Sequence, residues 1–217
     1  MGEMKVHADE EDKKEQLKCT INSEPYFVFS VRPSRLVDPK QQSKKEDIKL
    51  FDFGSQEIKE SFVNNPDVGD PLESHKLYMN IVYHDRVLPP LNKDRDIANF
   101  KDDKTWQVIP VAFADPITRH SGSGQVLTYD AHVHSAVVNK MKESAANFQT
   151  ILHYLVQKFQ AHVKDKFYPL HKRSLKLIKR KYKHGKGGTS NIVPPYVLPP
   201  QHDIQKFKEV KEKIKVA

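Results

Sequence analysis

Residues 77–83 read LYMNIVY, an apolar run broken only by Asn80. Its β-branched and aromatic residues fit a compact strand, stopped by His84-Asp85 and closed by Pro89-Pro90. Lys76, just before it, marks the start of the ordered core. Downstream, residues 106–113 (WQVIPVAF) predict a second strand, which Pro110 confines to an edge or a bulge. Asp115-Pro116 starts a turn, residues 120–124 (HSGSG) form a hairpin-like loop, and residues 125–133 (QVLTYDAHV) are a third strand. A helical region then runs to about Phe167. Its apolar residues Phe148, Ile151, Leu155, Phe159 and Val163 recur at three- and four-residue steps, as on one face of a helix. Upstream, residues 26–32 (YFVFSVR) are a strand closed by Pro33. The pattern is α+β: a mixed sheet packed against helices, in one domain with charged, flexible tails.

The flanks divide the chain further. Residues 1–20 are charged and poor in apolar groups, so they are expected to stay disordered. Residues 21–75 comprise the first strand and a long insertion, and residues 76–192 form the core domain. Residues 193–217 read as a Pro-rich spacer (VPPYVLPP) followed by an amphipathic helix carrying Ile204, Phe207, Val210 and Ile214. The single cysteine, Cys19, lies in the expected tail and excludes an intramolecular disulfide framework. No run approaches the roughly 20 apolar residues that cross a bilayer, and the N-terminus has no signal-peptide core. Cytosol or nucleus is the expected location.

Charge is concentrated. Residues 172–186 (KRSLKLIKRKYKHGK) contain eight lysines and arginines and no acid, equal to the formal net charge of +8 for all 217 residues. Such a field attracts a partner of opposite sign: nucleic acid, an anionic surface or an acidic peptide. Leu175, Leu177, Ile178 and Tyr182 within the run imply a folded segment rather than a solvated tail. Lys172, Lys176, Lys179 and Lys183 would share a helical face, but after Pro169 a strand is favoured, followed by a loop at Gly185, Gly187 and Gly188.

The order and spacing of these motifs resemble a PIH domain (protein interacting with the Hsp-ninety chaperone). The resemblance covers about residues 76–192. It rests on Lys76-Leu77-Tyr78-Met79-Asn80-Ile81, Leu88-Pro89-Pro90, Val108-Ile109-Pro110, Tyr129-Asp130-Ala131-His132-Val133, and the Lys166-Phe167 pair before Lys176, Lys179, Lys181 and Gly185. It implies a short, non-catalytic adaptor that binds acidic phosphopeptides without a cofactor, in chaperone-assisted assembly of dynein arms or small nucleolar ribonucleoproteins. The anion-binding positions it implies are Lys76, Lys176, Lys179 and Lys181. A further family lysine falls on Ser30 or Arg32, and Arg32 keeps the charge. Lys176 stands where the family usually has arginine, replacing a bidentate fork with a point charge. Gln125-Val126 and His134 depart from the family's usual residues. The β-sandwich found C-terminally in many relatives has no counterpart in the sequence, leaving direct chaperone contact open.

Other readings compete. Asp130, His132 and His134 alternate on one strand and thus face one side, as zinc ligands would. RNA binding through the basic run would need exposed rings, Tyr182 among them, for base stacking. A structural role in a large assembly is a third. No nucleophile or phosphate-binding glycine loop supports catalysis, and no membrane partner is expected.

Overall fold

The computed structural model describes residues 19–33, 75–100, 102–121, 124–164, 170–179, 181–183 and 192–216. Its strands are β1 (Cys19–Ile21), β2 (Glu24–Pro33), β3 (His75–Tyr83), β4 (Ala112–Phe113), β5 (Ile117–Ser121), β6 (Gly124–Val133), β7 (Leu170–Ile178) and β8 (Tyr196–Leu198). The helices are α1 (Ser135–Glu143), α2 (Ala145–Val163) and α3 (Ile204–Val216). Six strands form a mixed sheet in the order β4-β6-β3-β2-β7, with β5 also on β6. β3 and β6 are parallel and the other pairs antiparallel.

The central place of β3 explains its sequence. Leu77, Met79, Asn80, Ile81 and Val82 are all fully buried, because both faces of this strand are covered. A strand buried on both sides reads as a continuous apolar run rather than an alternation. The first face packs on α1 and α2. Phe29, Leu77, Met79, Ile81 and Tyr129 join Ile151, Leu155 and Phe159 in one buried cluster, so the helical stripe meets the sheet. Tyr154 ties α2 to the segment before β4: its hydroxyl accepts from Ile109 N at 3.0 Å and donates to Ile109 O at 3.2 Å.

Several expectations change. The single helical region is two helices, parted at Ser144, whose extended backbone lets its hydroxyl accept from Asn147 N at 3.1 Å. Of residues 106–113 only Ala112 and Phe113 form a strand; Val108 makes an isolated bridge to Leu91. Residues 117–121, expected as turn and loop, form β5, which pairs antiparallel with β6 up to Ser121 and Gly124. Cys19 opens β1 instead of lying in a tail, and the expected Pro-rich spacer contains β8, which pairs antiparallel with β1. Ile21 and Leu198 are buried there with Val87 and Ala112. The start of α3 is fastened too: Arg86 Nε and Nη2 donate to the buried Asp203 carboxylate at 2.7 and 3.1 Å. The insertion at 34–74 and the glycine loop at 184–191 lie outside the described residues.

Candidate anion-binding face

The second face of the sheet is covered unevenly. Toward the C-terminal end of β3, Val82 is buried with Tyr182 and Val193. The opposite end carries cations. Ser30 on β2 stands opposite Tyr78 on β3 and opposite Lys176 on β7, so these three form one row on one face. Lys76 lies two residues before Tyr78 and Arg32 two after Ser30, which places both on the same face. The last paired residues of β2 and β3 are Val31 and Leu77, and Arg32 and Lys76 each lie one residue beyond that pair at the same end of the two strands. Ser30 and Arg32, the two possible matches for one family lysine, therefore share a face. Lys176 is exposed, while Lys76 and Arg32 are half-buried.

The chain leaving β7 turns back across this face. Tyr182 is only 3% exposed, and its hydroxyl donates to Asp130 Oδ2 at 2.9 Å. Asp130 Oδ1 accepts from Asn80 Nδ2 at 2.6 Å. Asn80 then holds the backbone of Lys183 at both ends: Lys183 N donates to Asn80 Oδ1 at 2.9 Å, and Asn80 Nδ2 donates to Lys183 O at 3.0 Å. A buried amide satisfied in this way fixes its partners in place. Burial first, then the Asp130 charge and hydrogen bond, push the Tyr182 phenol far above its ordinary value, so it stays a donor.

Lys183 consequently reaches the Lys76 neighbourhood. Its Nζ lies 4.4 Å from the Tyr78 ring centroid, and Lys76 Nζ lies 5.0 Å from the same centroid. Each such contact contributes about 0.5–1 kcal/mol when exposed. Lys179, just past β7, and Lys181, just before Tyr182, are exposed; among the described residues neither makes a hydrogen bond or ring contact. Register thus brings Arg32, Lys76 and Lys176 onto one face, and Lys179 and Lys181 lie on the segment that crosses it. Sequence reasoning passed over Lys183 and Tyr78. The available signal was Tyr78's spacing of two from Lys76, which puts both on one side of a strand.

Asp130 and His132 lie two apart on β6, but His134 follows the end of the strand, so the expected alternation of three on one strand is not formed, and each is engaged separately. Asp130 serves Asn80 and Tyr182. His132 Nδ1 bonds Ser23 Oγ at 2.8 Å, and its ring stacks on Tyr196 with centroids 4.0 Å apart. His134 caps α1, its Nδ1 accepting from Ala136 N at 3.0 Å. Among the described residues no three His, Cys, Asp or Glu side chains are grouped to hold a metal ion. Burial, with His84 nearby, lowers the His132 pKa from 6.5 to about 3. The folded state therefore binds fewer protons here than the unfolded chain. This contribution to stability is complete above pH 6.5 and falls away as pH drops from there toward 3. By pH 5 the loss from this group is expected to be about 2 kcal/mol. A His132→Phe variant, which keeps a ring against Tyr196, should show a flatter fall of Tm between pH 7 and pH 5 than the wild type. An equally steep fall would assign the effect elsewhere.

A family model of the PIH1 N-terminal domain matches residues 70–193. The chain belongs to this family. PIH1 domains are protein-interaction adaptors. The solved N-terminal domain of yeast PIH1p aligns with this chain at a TM-score of 0.54 and 13% identity, covering 88% of this chain and 98% of that one. That likeness establishes the shared PIH1 fold. No curated protein matches the chain. The family match begins after β2, yet in this PIH1 domain β2 lies between β3 and β7 and carries Arg32.

Proposed function

We propose that this PIH1 domain is a non-catalytic adaptor that captures acidic, phosphorylated segments of partner proteins on its cationic face. It would act in the cytoplasm or nucleus, in chaperone-assisted assembly of large complexes such as dynein arms or small nucleolar ribonucleoproteins. The supporting observation is the grouping of Arg32, Lys76 and Lys176, distant in sequence, on one face of the sheet beside Tyr78. Lys179 and Lys181 continue the positive field along the crossing segment. A phosphoserine among acidic residues spreads several negative charges along a short peptide, and spaced ammonium groups meet it with charge-assisted hydrogen bonds.

The buried Tyr182 weighs against RNA as the ligand. Among the described residues Phe100 is the one Phe, Tyr or Trp side chain exposed at the surface, which is too little for a stacking platform. The test is a titration at physiological salt of a fluorescent acidic phosphopeptide, its unphosphorylated twin and an RNA oligomer. The phosphopeptide is expected to bind at least about tenfold more tightly than its twin. The double change Lys76→Ala, Lys179→Ala should abolish that binding with Tm nearly unchanged, since partly exposed lysines contribute little to folding. Tighter binding of RNA than of the phosphopeptide would sink the proposal.

A further inference from the structure

We propose that Lys76 and Lys183 form a two-lysine clamp for the phosphate group itself, at the rim of the Tyr78 ring. The remaining cations then read the acidic residues around it. This rests on the adaptor reading above and names the residues that would set its preference for phosphate.

Two ammonium groups gathered on one ring are the starting point. Each is drawn to the ring electrons, and each repels the other. An anion within reach of both removes that repulsion, and a phosphate monoester, with close to two charges and three acceptor oxygens, suits two separate donors better than a carboxylate does. Lysines act as point charges, so two arriving from different strands of chain can replace the single fork of an arginine. The second observation is how Lys183 is held. Asn80 grips its backbone N–H and C=O, and Asn80 is itself gripped by Asp130, which also anchors Tyr182. The stem of Lys183 starts from a fixed point in a buried network, while Lys76 starts from the sheet. Little ordering remains to be done when an anion binds. Lys181, two residues earlier and exposed, lacks such an anchor.

The experiment uses the full chain and the phosphopeptide pair, with Lys183→Ala and Lys181→Ala compared. Both variants keep the backbone contacts and should melt as the wild type does. Lys183→Ala is expected to cut the preference for phosphorylated over unphosphorylated peptide by about tenfold. Lys181→Ala should weaken both peptides alike and leave their ratio unchanged. Where the wild type prefers the phosphopeptide, an unchanged ratio in Lys183→Ala overturns the clamp. A second measurement does not depend on the peptide: free O-phosphoserine is titrated while the lysine side-chain NMR signals are followed. Lys76 and Lys183 should shift together. If they do, but the phosphopeptide binds no better than its twin, the adaptor reading fails and the clamp stands. If the peptide prefers phosphate and neither lysine responds, the clamp fails and the adaptor reading stands.

Discussion

Replacing Phe159 by alanine is expected to destabilise the domain by about 3–5 kcal/mol. Phe159 is fully buried in α2 and sits at the meeting point of three other rings. It stands edge-on to Tyr129 at 5.0 Å and to Phe29 at 6.3 Å, with Phe113 tilted at 6.1 Å. These rings come from β2, β4 and β6, so truncation opens a cavity that touches the centre and one edge of the sheet at once. Neighbouring strands fixed by their ladders can collapse into it only in part. Against a total stability of about 5–15 kcal/mol, such a loss leaves a measurably unfolded fraction. Urea unfolding of both proteins checks it through the midpoint at constant slope. A loss under ~1 kcal/mol would mean that the ring cluster relaxes around the gap.

The Asp130→Ala variant should lose about 3–5 kcal/mol as well, for a polar reason. Among the described residues the carboxylate accepts from Asn80 and from Tyr182, each a hydrogen bond of the charge-assisted kind that contributes about 1.5–3 kcal/mol. Alanine removes the acceptor of one Asn80 amide hydrogen and the carboxylate that the Tyr182 phenol donates to, in buried surroundings. The same variant should lose about tenfold of its preference for phosphorylated peptide, although no cation is removed. Without Asp130, Asn80 keeps its two bonds to the Lys183 backbone but loses the bond that holds its own amide, so the Lys183 backbone is held less firmly. Asp130→Asn is the graded control. Its oxygen can still accept from Tyr182, while its amino group confronts that of Asn80, so an intermediate loss is expected. Denaturant unfolding and the peptide titration together decide the matter. A variant that is destabilised but keeps its full phosphate preference would show that Lys183 is positioned by something other than this network.

Elements with a strong local pattern were legible in the chain. β3 announced itself as an apolar run, and α2 as a stripe at three- and four-residue steps. β2 was delimited by Pro33, and β7 by the proline before its basic run. These follow from side-chain period and from backbone limits within a few residues. The elements that escaped notice depend on remote partners. β1 and β8 are three residues each and exist because Cys19–Ile21 finds Tyr196–Leu198; a prolyl segment without that partner reads as a spacer. Ser144 splits the helical region through a cap that one hydroxyl decides.

The candidate site divides the same way. Composition and spacing alone determined that positive charge is gathered in residues 172–186, and the family resemblance pointed to Lys76 with Lys176, Lys179 and Lys181. Register alone decided that Arg32, Lys76 and Lys176 share a face, because β2 pairs with β3 on one side and β7 on the other. Only the tertiary structure could single out Lys183 and bury Tyr182. Their positions are set by Asn80 and Asp130, which lie far from them along the chain, on two other strands. A hydrogen bond across such a separation leaves no period in the sequence, since it forms only after the sheet has brought its two ends together.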